Sequence, residues 1–135
     1  MKILITGSSG FIGKAVLKRI SNGQSDNQIL LLSSKENHTY STYIYKKGDE
    51  KYHWDIPDNF DIVVHIGAWI PKSTSETQNI DKGFDNILFT KSLIQSQKQL
   101  KRIVFISTTD VYAATSEIIS ENSYVKPISI YGYSK

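Results

Sequence analysis

The chain of 135 residues contains no cysteine, one methionine and only three prolines. The absence of cysteine excludes a disulfide framework, a cysteine nucleophile and a thiolate metal site. No apolar run approaches the roughly 20 residues that a transmembrane helix requires, and the apolar stretch after Met1-Lys2 is too short for a signal peptide. We therefore expect a cytoplasmic protein that does not bind membranes.

Charge and apolar content are close to those of ordinary globular proteins. Hydrophobic residues make up 39% of the chain and charged residues 21%, and 135 residues suffice for a single domain. The net charge is +3, but the basic side chains are scattered, so nucleic acid is not an expected partner. The three histidines show no metal-ligand spacing, and we expect no metal site.

The order of apolar segments predicts an α/β fold. Short β-branched and aliphatic runs predict strands, and longer segments with helical periodicity predict helices. The predicted strands are 2–6, 28–32, 40–45, 61–66 and 102–107, and the predicted helices are 11–22 and 80–99. This alternation predicts a doubly wound parallel sheet. Residues 46–60 are too few for a full crossover helix, so we expect a short or irregular connection there.

In the second predicted helix, the apolar residues are expected to share one face. They are Ile80, Phe84, Ile87, Leu88 and Ile94.

A glycine-rich turn at residues 6–13 separates the first predicted strand from the first predicted helix. Free N–H groups at such a helix N-terminus bind pyrophosphate in dinucleotide-binding folds. Gly7 would permit the tight turn, Gly10 a close approach of backbone to phosphate, and Gly13 close packing of helix on strand. A P-loop is excluded, because five residues rather than four separate the outer glycines and no Ser or Thr follows Lys14.

The spacing Gly-x-x-Gly-x-x-Gly resembles that of the extended short-chain dehydrogenase/reductase superfamily, namely the NAD-dependent epimerase/dehydratase group of sugar-nucleotide enzymes. Further segments along the chain resemble motifs of that family in the correct order. They are Asp55-Ile56, similar to the pair beside the adenine ring; 65–68 (HIGA), similar to H-L-A-A; Asn86, similar to the asparagine of N-x-x-G-T, with Phe89 in place of the glycine; 107–112 (STTDVY), similar to S-S-S-x-V-Y or S-T-D-E-V-Y; and 127–135 (PISIYGYSK), similar to P-x-S-x-Y-G-x-S-K.

This resemblance implies a Rossmann-like NAD(P)-binding domain over residues 1–135, truncated after about the fifth strand, with the C-terminal substrate-binding region absent. It implies an epimerase, dehydratase or reductase that transfers hydride between nicotinamide and a carbon of a nucleotide sugar, and a homodimer at full length. The implied cofactor-binding residues are Gly7, Ser9, Gly10, Phe11, Ile12, Gly13, Ser33, Ser34, Lys35, Asp55, Ile56, Ile66, Gly67, Ala68, Asn86, Tyr131 and Lys135.

Tyr131, Lys135 and Thr108 are the candidate catalytic residues. Residues four apart on a helix share a face, so the phenol and the ammonium can act together, and a nearby cation is expected to lower the tyrosine pKa. Thr108 lies near the end of the fifth predicted strand, where its hydroxyl can bind a substrate oxygen. The resemblance implies the same roles: Tyr131 transfers the hydroxyl proton, Lys135 tunes it and holds the nicotinamide ribose, and Thr108 orients the substrate.

Ser33 lies about 20 residues beyond Gly13, where NAD-specific sites place a carboxylate for the ribose 2′-OH. The sequence Ser33-Ser34-Lys35 offers hydroxyls and an amine instead, which favours NADP over NAD.

Two alternatives remain open: a non-catalytic NAD(P)-binding regulatory domain, and a fragment without activity of its own. His65 is equally well interpreted as a structural core histidine or as a functional residue.

Overall fold

A computed structural model of the protein describes residues 1–23, 26–47, 52–54 and 56–135. The chain divides into two compact units. The first contains Met1–Ala68 and Phe89–Ile106, and the second contains Trp69–Leu88 and Ser107–Lys135.

A five-stranded, all-parallel sheet forms the centre of the first unit. Its strands are β1 (Lys2–Thr6), β2 (Gln28–Ser33), β3 (Thr42–Ile44), β6 (Ile62–His65) and β7 (Arg102–Phe105), in the order β3-β2-β1-β6-β7. The strand order reverses at β1, which pairs with both β2 and β6. In such a sheet the ligand crevice lies at the carboxyl end of the strands beside this reversal. The α/β fold predicted from the sequence is confirmed.

The connection between β3 and β6 contains a short antiparallel pair, β4 (Lys46–Lys47) and β5 (Tyr52–His53). The helices are α1 (Phe11–Ser21), α2 (Ile80–Gln95) and α3 (Ile130–Tyr133), with 3-10 turns at Ser75–Gln78 and Thr109–Val111. Within the described ranges, no helix is long and apolar enough to cross a membrane. Among its described residues, the connection between β3 and β6 contains the β4–β5 pair and no helix, which agrees with the short or irregular connection predicted from the sequence.

The end of α2 differs from the sequence prediction, because the helix stops at Gln95 rather than at residue 99. The N–H of Gln97 donates to the Ile94 carbonyl, an i−3 bond that tightens the last turn, and the Ser96 hydroxyl donates to the Leu93 carbonyl. These bonds satisfy carbonyls that the helix end would otherwise leave unpaired.

Both faces of the sheet are covered by apolar side chains, as a parallel sheet requires. Successive residues of a strand point to opposite faces, so Leu4 belongs to one cluster while Ile3 and Ile5 belong to the other. The first cluster contains Leu4, Leu30, Leu32, Phe60, Val63, Phe89 and Leu93. The second contains Ile3, Ile5, Leu31, Val64 and Ile66, and Val16, Leu17 and Ile20 of α1 pack against it.

The apolar residues predicted to share a face of α2 are mostly exposed. Ile80, Phe84, Ile87 and Ile94 are exposed, and Leu88 is half-buried. The buried side of the helix carries Asn86, Phe89 and Leu93 instead. Periodicity thus located an apolar stripe, but the buried side of α2 carries Phe89 and Leu93 in the core and the hydrogen-bonded amide of Asn86.

Phe89 stands where the family pattern has glycine, and its buried ring is the centre of an aromatic cluster. Its centroid lies 5.0 Å from Tyr45, 4.8 Å from Tyr52 and 5.3 Å from Trp54, all in edge-on arrangements. The same ring stacks on His65 at 5.5 Å. Edge-to-face ring pairs stabilise beyond the area they bury. The departure from the family pattern is therefore matched by aromatic residues of the irregular connection.

Candidate functional site

Gly7 brings the loop after β1 against the loop after β6. Its φ is +69°, in the left-handed region that favours glycine. A Cβ on Gly7 would collide with the Gly67 backbone nitrogen and lie 2.8 Å from the Gly67 Cα. Both the conformation and the contact therefore require glycine at this position.

Gly13 and Gly10 differ in the space around them. A Cβ on Gly13 would collide with the Gly7 carbonyl oxygen and lie 2.7 Å from the Ser8 Cα, so the first turn of α1 packs directly on the glycine turn. Among the described residues, a Cβ on Gly10 would meet only the Gly7 oxygen, at 3.4 Å. The space beside Gly10 is therefore open.

The N-terminus of α1 has the chemistry of an anion site. Gly10 is its N-cap residue and supplies no side-chain cap, and the first turn carries no acidic residue. The first N–H groups of a helix have no partner within the helix, and the positive end of its dipole favours a negative group. An open glycine next to uncapped N–H groups fits a pyrophosphate.

The remaining predicted cofactor residues of the first unit lie in varied surroundings. Ser9, Phe11 and Ile12 are exposed around the start of α1, with Phe11 93% exposed. Ile66 is buried in the second core cluster and Ile56 packs on the first, whereas Asp55 lies outside the described residues.

The carboxyl end of β2 presents hydroxyls rather than a carboxylate. Ser33 is the last residue of the strand, and Ser34 and Lys35 follow it exposed. The Lys35 N–H donates to the Ser33 hydroxyl at 3.2 Å.

His65 is a fully buried, hydrogen-bonded core residue. Its Nδ1 lies 2.6 Å from the Thr6 hydroxyl and its Nε2 2.9 Å from the Thr90 hydroxyl. Thr6 also accepts the Gly67 N–H at 3.2 Å. The histidine thus joins the ends of β1 and β6 to α2 and holds the loop that contacts Gly7. This geometry favours the structural interpretation of His65.

The second unit brings together the three candidate catalytic residues. Tyr131 lies in α3, and its N-cap Ser129 accepts the Gly132 N–H at 2.9 Å. The Thr108 side chain lies beside the Tyr131 phenol and lowers its pKa. The Lys135 ammonium lies 5.9 Å from the centroid of the Tyr131 ring. The structure therefore places a buried phenol beside a hydroxyl side chain and a cation.

The Tyr131 pKa departs from the sequence expectation. Burial raises the pKa of Tyr131, the Thr108 side chain lowers it in part, and the negative charge of Asp110 raises it further. Burial also lowers the pKa of Lys135. The expectation that Lys135 lowers the tyrosine pKa is wrong for this structure, because desolvation of the phenolate is the largest effect.

Asn86 is buried rather than open to solvent, at 2% exposure. Its side-chain oxygen accepts the Trp69 N–H at 3.0 Å, and its nitrogen donates to the Trp69 carbonyl and to the Ser134 hydroxyl, both at 3.1 Å. The amide oxygen and nitrogen are therefore both hydrogen-bonded to residues of the second unit.

Sequence reasoning missed several contributors to these sites. Thr6 supports His65 and Gly67, Trp69 meets the Tyr131 ring edge-on at 5.8 Å, and Asp110 acts on Tyr131 through its charge. Each lies in or next to a motif: Thr6 begins the glycine turn, Trp69 follows the HIGA segment, and Asp110 lies within STTDVY. Position in or beside a motif is the signal that could have found them.

The chain spans about half the length of known proteins that it resembles. It is 27% identical over 150 residues to an ADP-L-glycero-D-manno-heptose-6-epimerase of Nitratidesulfovibrio vulgaris (strain DP4), covering 98% of this chain and 45% of that protein. A crystal structure of UDP-galactose 4-epimerase superposes with a TM-score of 0.80 at 25% identity, covering 100% of this chain and 48% of that one.

A third similarity is to the structure of MoeE5 in complex with UDP-glucose and NAD. The TM-score is 0.72 at 26% identity, and the match covers 99% of this chain and 45% of that one. The sequence model of the NAD dependent epimerase/dehydratase family matches residues 3–135. With its glycine turn, parallel sheet and Tyr131–Lys135 pair, this chain belongs to the NAD dependent epimerase/dehydratase family.

Proposed function

We propose that this chain is the cofactor-binding part of an enzyme that epimerises, dehydrates or reduces a nucleotide sugar. The observation that carries the proposal is the buried Tyr131 phenol, beside the Thr108 side chain and with the Lys135 ammonium 5.9 Å from its ring. A surface tyrosine would not need a hydroxyl partner and a cation held against it. The relatives whose names include heptose 6-epimerase and galactose 4-epimerase support the substrate class.

Tyr131 is the proposed proton-transfer group. A bound nicotinamide supplies hydride acceptance and donation at a sugar carbon. The Tyr131 phenol gives its proton to the adjacent sugar oxygen or takes it back, and the Thr108 hydroxyl binds that oxygen. Because burial raises the pKa of Tyr131, the phenol is protonated at neutral pH and available as an acid. Lys135 is proposed to bind the nicotinamide ribose.

The dinucleotide is proposed to bind along the residues predicted from the sequence. The turn from Gly7 to Gly13 would hold the pyrophosphate at the uncapped end of α1. Ser9, Phe11, Ile12, Ile56, Gly67 and Ala68 are proposed to contact the same ligand.

NADP is the proposed cofactor, on the basis of the residues that follow β2. Ser33, Ser34 and Lys35 place two hydroxyls and one amine there, which accept a 2′-phosphate that a carboxylate would repel. Isothermal titration is expected to show tighter binding of NADPH than of NADH. Ser33→Asp should reverse this order, with Ser34→Ala as the matched control for a changed hydroxyl. Tighter NADH binding by the unaltered chain would contradict the proposal.

A cleft in the second unit, lined by both polar and apolar side chains, is the proposed position of the sugar. It has a volume of about 490 Å³ and carries hydroxyl, amide and carboxylate groups. Its polar lining includes Thr74, Thr77, Gln78, Thr109, Asp110 and Ser129. Thr109 adjoins Thr108 and Ser129 lies two residues before Tyr131, so the lining is continuous in sequence with the proposed catalytic residues. Hydroxyl-rich ligands bind where many such donors and acceptors converge.

Replacing the phenol tests the activity in the full-length protein. Tyr131→Phe keeps the ring and removes the proton, so turnover with a panel of nucleotide sugars, followed at 340 nm, should fall by at least about a hundredfold. Tyr133→Phe is the matched control, since Tyr133 is exposed on the same short helix. Undiminished turnover in Tyr131→Phe would refute the catalytic assignment. The 135-residue chain alone is expected to bind cofactor without steady-state turnover.

A homodimer is proposed through the exposed apolar side of the second unit. Ile80, Phe84 and Ile87 are exposed on α2, and Tyr133 is exposed on α3. Gly83 allows Ile130 to contact the α2 backbone closely, so these residues lie on neighbouring helices. Light scattering of the wild type should give twice the monomer mass, and Phe84→Glu should give the monomer. A monomeric wild type would contradict the proposal.

A further inference from the structure

The Asn86 side chain makes a two-way hydrogen bond with a single backbone residue. Its oxygen accepts from the Trp69 N–H at 3.0 Å while its nitrogen donates to the Trp69 carbonyl at 3.1 Å. This pairing fixes the Trp69 backbone as a neighbouring strand would, in a segment outside the strands. The asparagine amide can do this because its acceptor oxygen and donor nitrogen lie side by side on one carbon.

Both groups that Asn86 holds also contact Tyr131. The Trp69 ring meets the Tyr131 ring edge-on, with centroids 5.8 Å apart and planes at 88°. The second N–H of Asn86 donates to the Ser134 hydroxyl, which in turn donates to the Tyr131 carbonyl at 2.7 Å. Two separate chains of contacts therefore run from one amide to one tyrosine.

We propose that Asn86 is a positioning residue that holds Tyr131 from two sides, through the backbone of Trp69 and through the hydroxyl of Ser134. Its importance for catalysis rests on the proposed role of Tyr131 in proton transfer. The resemblance implies a cofactor contact for Asn86, whereas here its oxygen and both N–H groups are turned to Trp69 and Ser134. Its effect on the reaction would act through the tyrosine.

The contact between the Trp69 and Tyr131 rings makes the role of Asn86 testable through the Tyr131 pKa. Tyr131 is 7% exposed, and the Trp69 indole covers part of its ring. Loss of the Asn86 bonds should free Trp69 and admit water to the phenol. Burial raises the Tyr131 pKa, so added solvation should lower it. A residue that only stabilised the fold would not move this titration.

Trp69 itself can report on its neighbour. The chain has two tryptophans, so Trp54→Phe leaves Trp69 as the only one. Ionised tyrosine absorbs where tryptophan emits and quenches it at ring-to-ring contact, so Trp69 fluorescence should fall as Tyr131 ionises. Tyr131→Phe in the same background identifies the part of the quenching that belongs to Tyr131.

The experiment is a pH titration of Trp69 fluorescence in the Trp54→Phe chain, with circular dichroism to confirm the fold at each pH. Adding Asn86→Leu should lower the midpoint by at least about half a pH unit, roughly a threefold change in the ionisation constant, and should reduce the quenching. Gln97→Leu is the matched control, because Gln97 is also a buried amide but belongs to the first unit. It should leave the titration unchanged.

An unchanged midpoint and amplitude in folded Asn86→Leu would overturn the proposal. If Asn86→Leu does not fold, Ser134→Ala decides, since it removes only one of the two chains of contacts and should give a smaller shift in the same direction. No shift in Ser134→Ala would then overturn the proposal. The titration needs no substrate, so failure of the catalytic assignment would appear separately, as undiminished turnover in Tyr131→Phe.

Discussion

The same methyl group should destabilise the fold at Gly13 and leave it almost unchanged at Gly10. Gly13→Ala puts a Cβ into three backbone atoms of the glycine turn, including the Ser8 Cα at 2.7 Å. Overpacking of this kind costs about 1–3 kcal/mol, and backbone atoms cannot yield as a side-chain end would. Replacing a helical glycine by alanine regains about 1 kcal/mol of helix propensity. Because the clashing atoms are backbone, we take the upper end of the overpacking range, about 3 kcal/mol, and expect a net loss of about 2 kcal/mol in the free energy of unfolding.

Gly10→Ala should leave the fold almost unchanged. The added Cβ meets one oxygen at 3.4 Å, and the φ of −75° suits any residue. The poorer N-cap costs about 0.5–1 kcal/mol, and the stiffer unfolded chain returns about 0.4–1 kcal/mol. The methyl instead occupies the space in which the pyrophosphate is proposed to lie. Dinucleotide affinity should fall by at least about tenfold, which corresponds to 1.4 kcal/mol.

Thermal unfolding and isothermal titration with NADPH separate the two effects. Gly13→Ala should lower Tm by about 8 °C, taking roughly 4 °C per kcal/mol for a chain of this size. Gly10→Ala should keep the wild-type Tm and lose affinity, and Gly10→Val should lose binding altogether while the sheet stays folded. Equal Tm losses at the two positions would refute the packing argument, and normal binding by Gly10→Val would show that the turn does not hold the phosphates.

Three further predictions concern single hydrogen bonds and charges. The Asp61 carboxylate pairs with Lys101 and accepts the Lys2 N–H at 2.8 Å, and these partners lower its pKa. The contribution of Asp61 to stability should therefore be complete above the unfolded pKa and lost as the pH falls through the folded pKa. Urea unfolding of Asp61→Asn and of the wild type should differ at pH 7 and converge in acid. Thr6→Val leaves the Gly67 N–H and His65 Nδ1 without this hydroxyl and should cost about 1–3 kcal/mol by urea unfolding, whereas Thr6→Ser should retain most of the stability. Asp110→Asn removes a charge that raises the pKa of Tyr131, so the phenol should titrate at lower pH by ultraviolet difference absorption against Tyr131→Phe, and an unchanged midpoint would contradict the charge effect.

Strand positions could be predicted from the sequence because the buried strands are nearly continuous apolar runs. The strand Lys2–Thr6 is followed by Gly7, whose positive φ ends the strand in a turn. The sequence therefore predicts both limits of this strand correctly. The strand predicted at 40–45 is shorter, Thr42–Ile44, because it lies at the sheet edge and pairs with β2 alone. Edge strands have fewer partners to fix their length, and sequence does not reveal which strand is at the edge.

Helix faces and pKa values could not be predicted, because both depend on what packs against a residue. A polar residue such as Asn86 is expected at the surface of a helix, yet three hydrogen bonds allow Asn86 to be buried while the apolar Phe84 is exposed. The spacing of Tyr131 and Lys135 correctly places the two side chains together. It carries no information on the burial that determines the direction of both pKa shifts.

The directions of those shifts limit what the chain's own residues contribute to proton transfer. Burial raises the pKa of Tyr131 and lowers that of Lys135, so the surroundings favour the neutral form of each group. An ion pair of phenolate and ammonium would shift both values the other way. The ammonium lies 5.9 Å from the ring centroid, a cation–π distance, and the Thr108 side chain lowers the Tyr131 pKa. In the proposed reaction these residues therefore prepare Tyr131 to donate a proton at neutral pH, and accepting one requires further stabilisation of the phenolate.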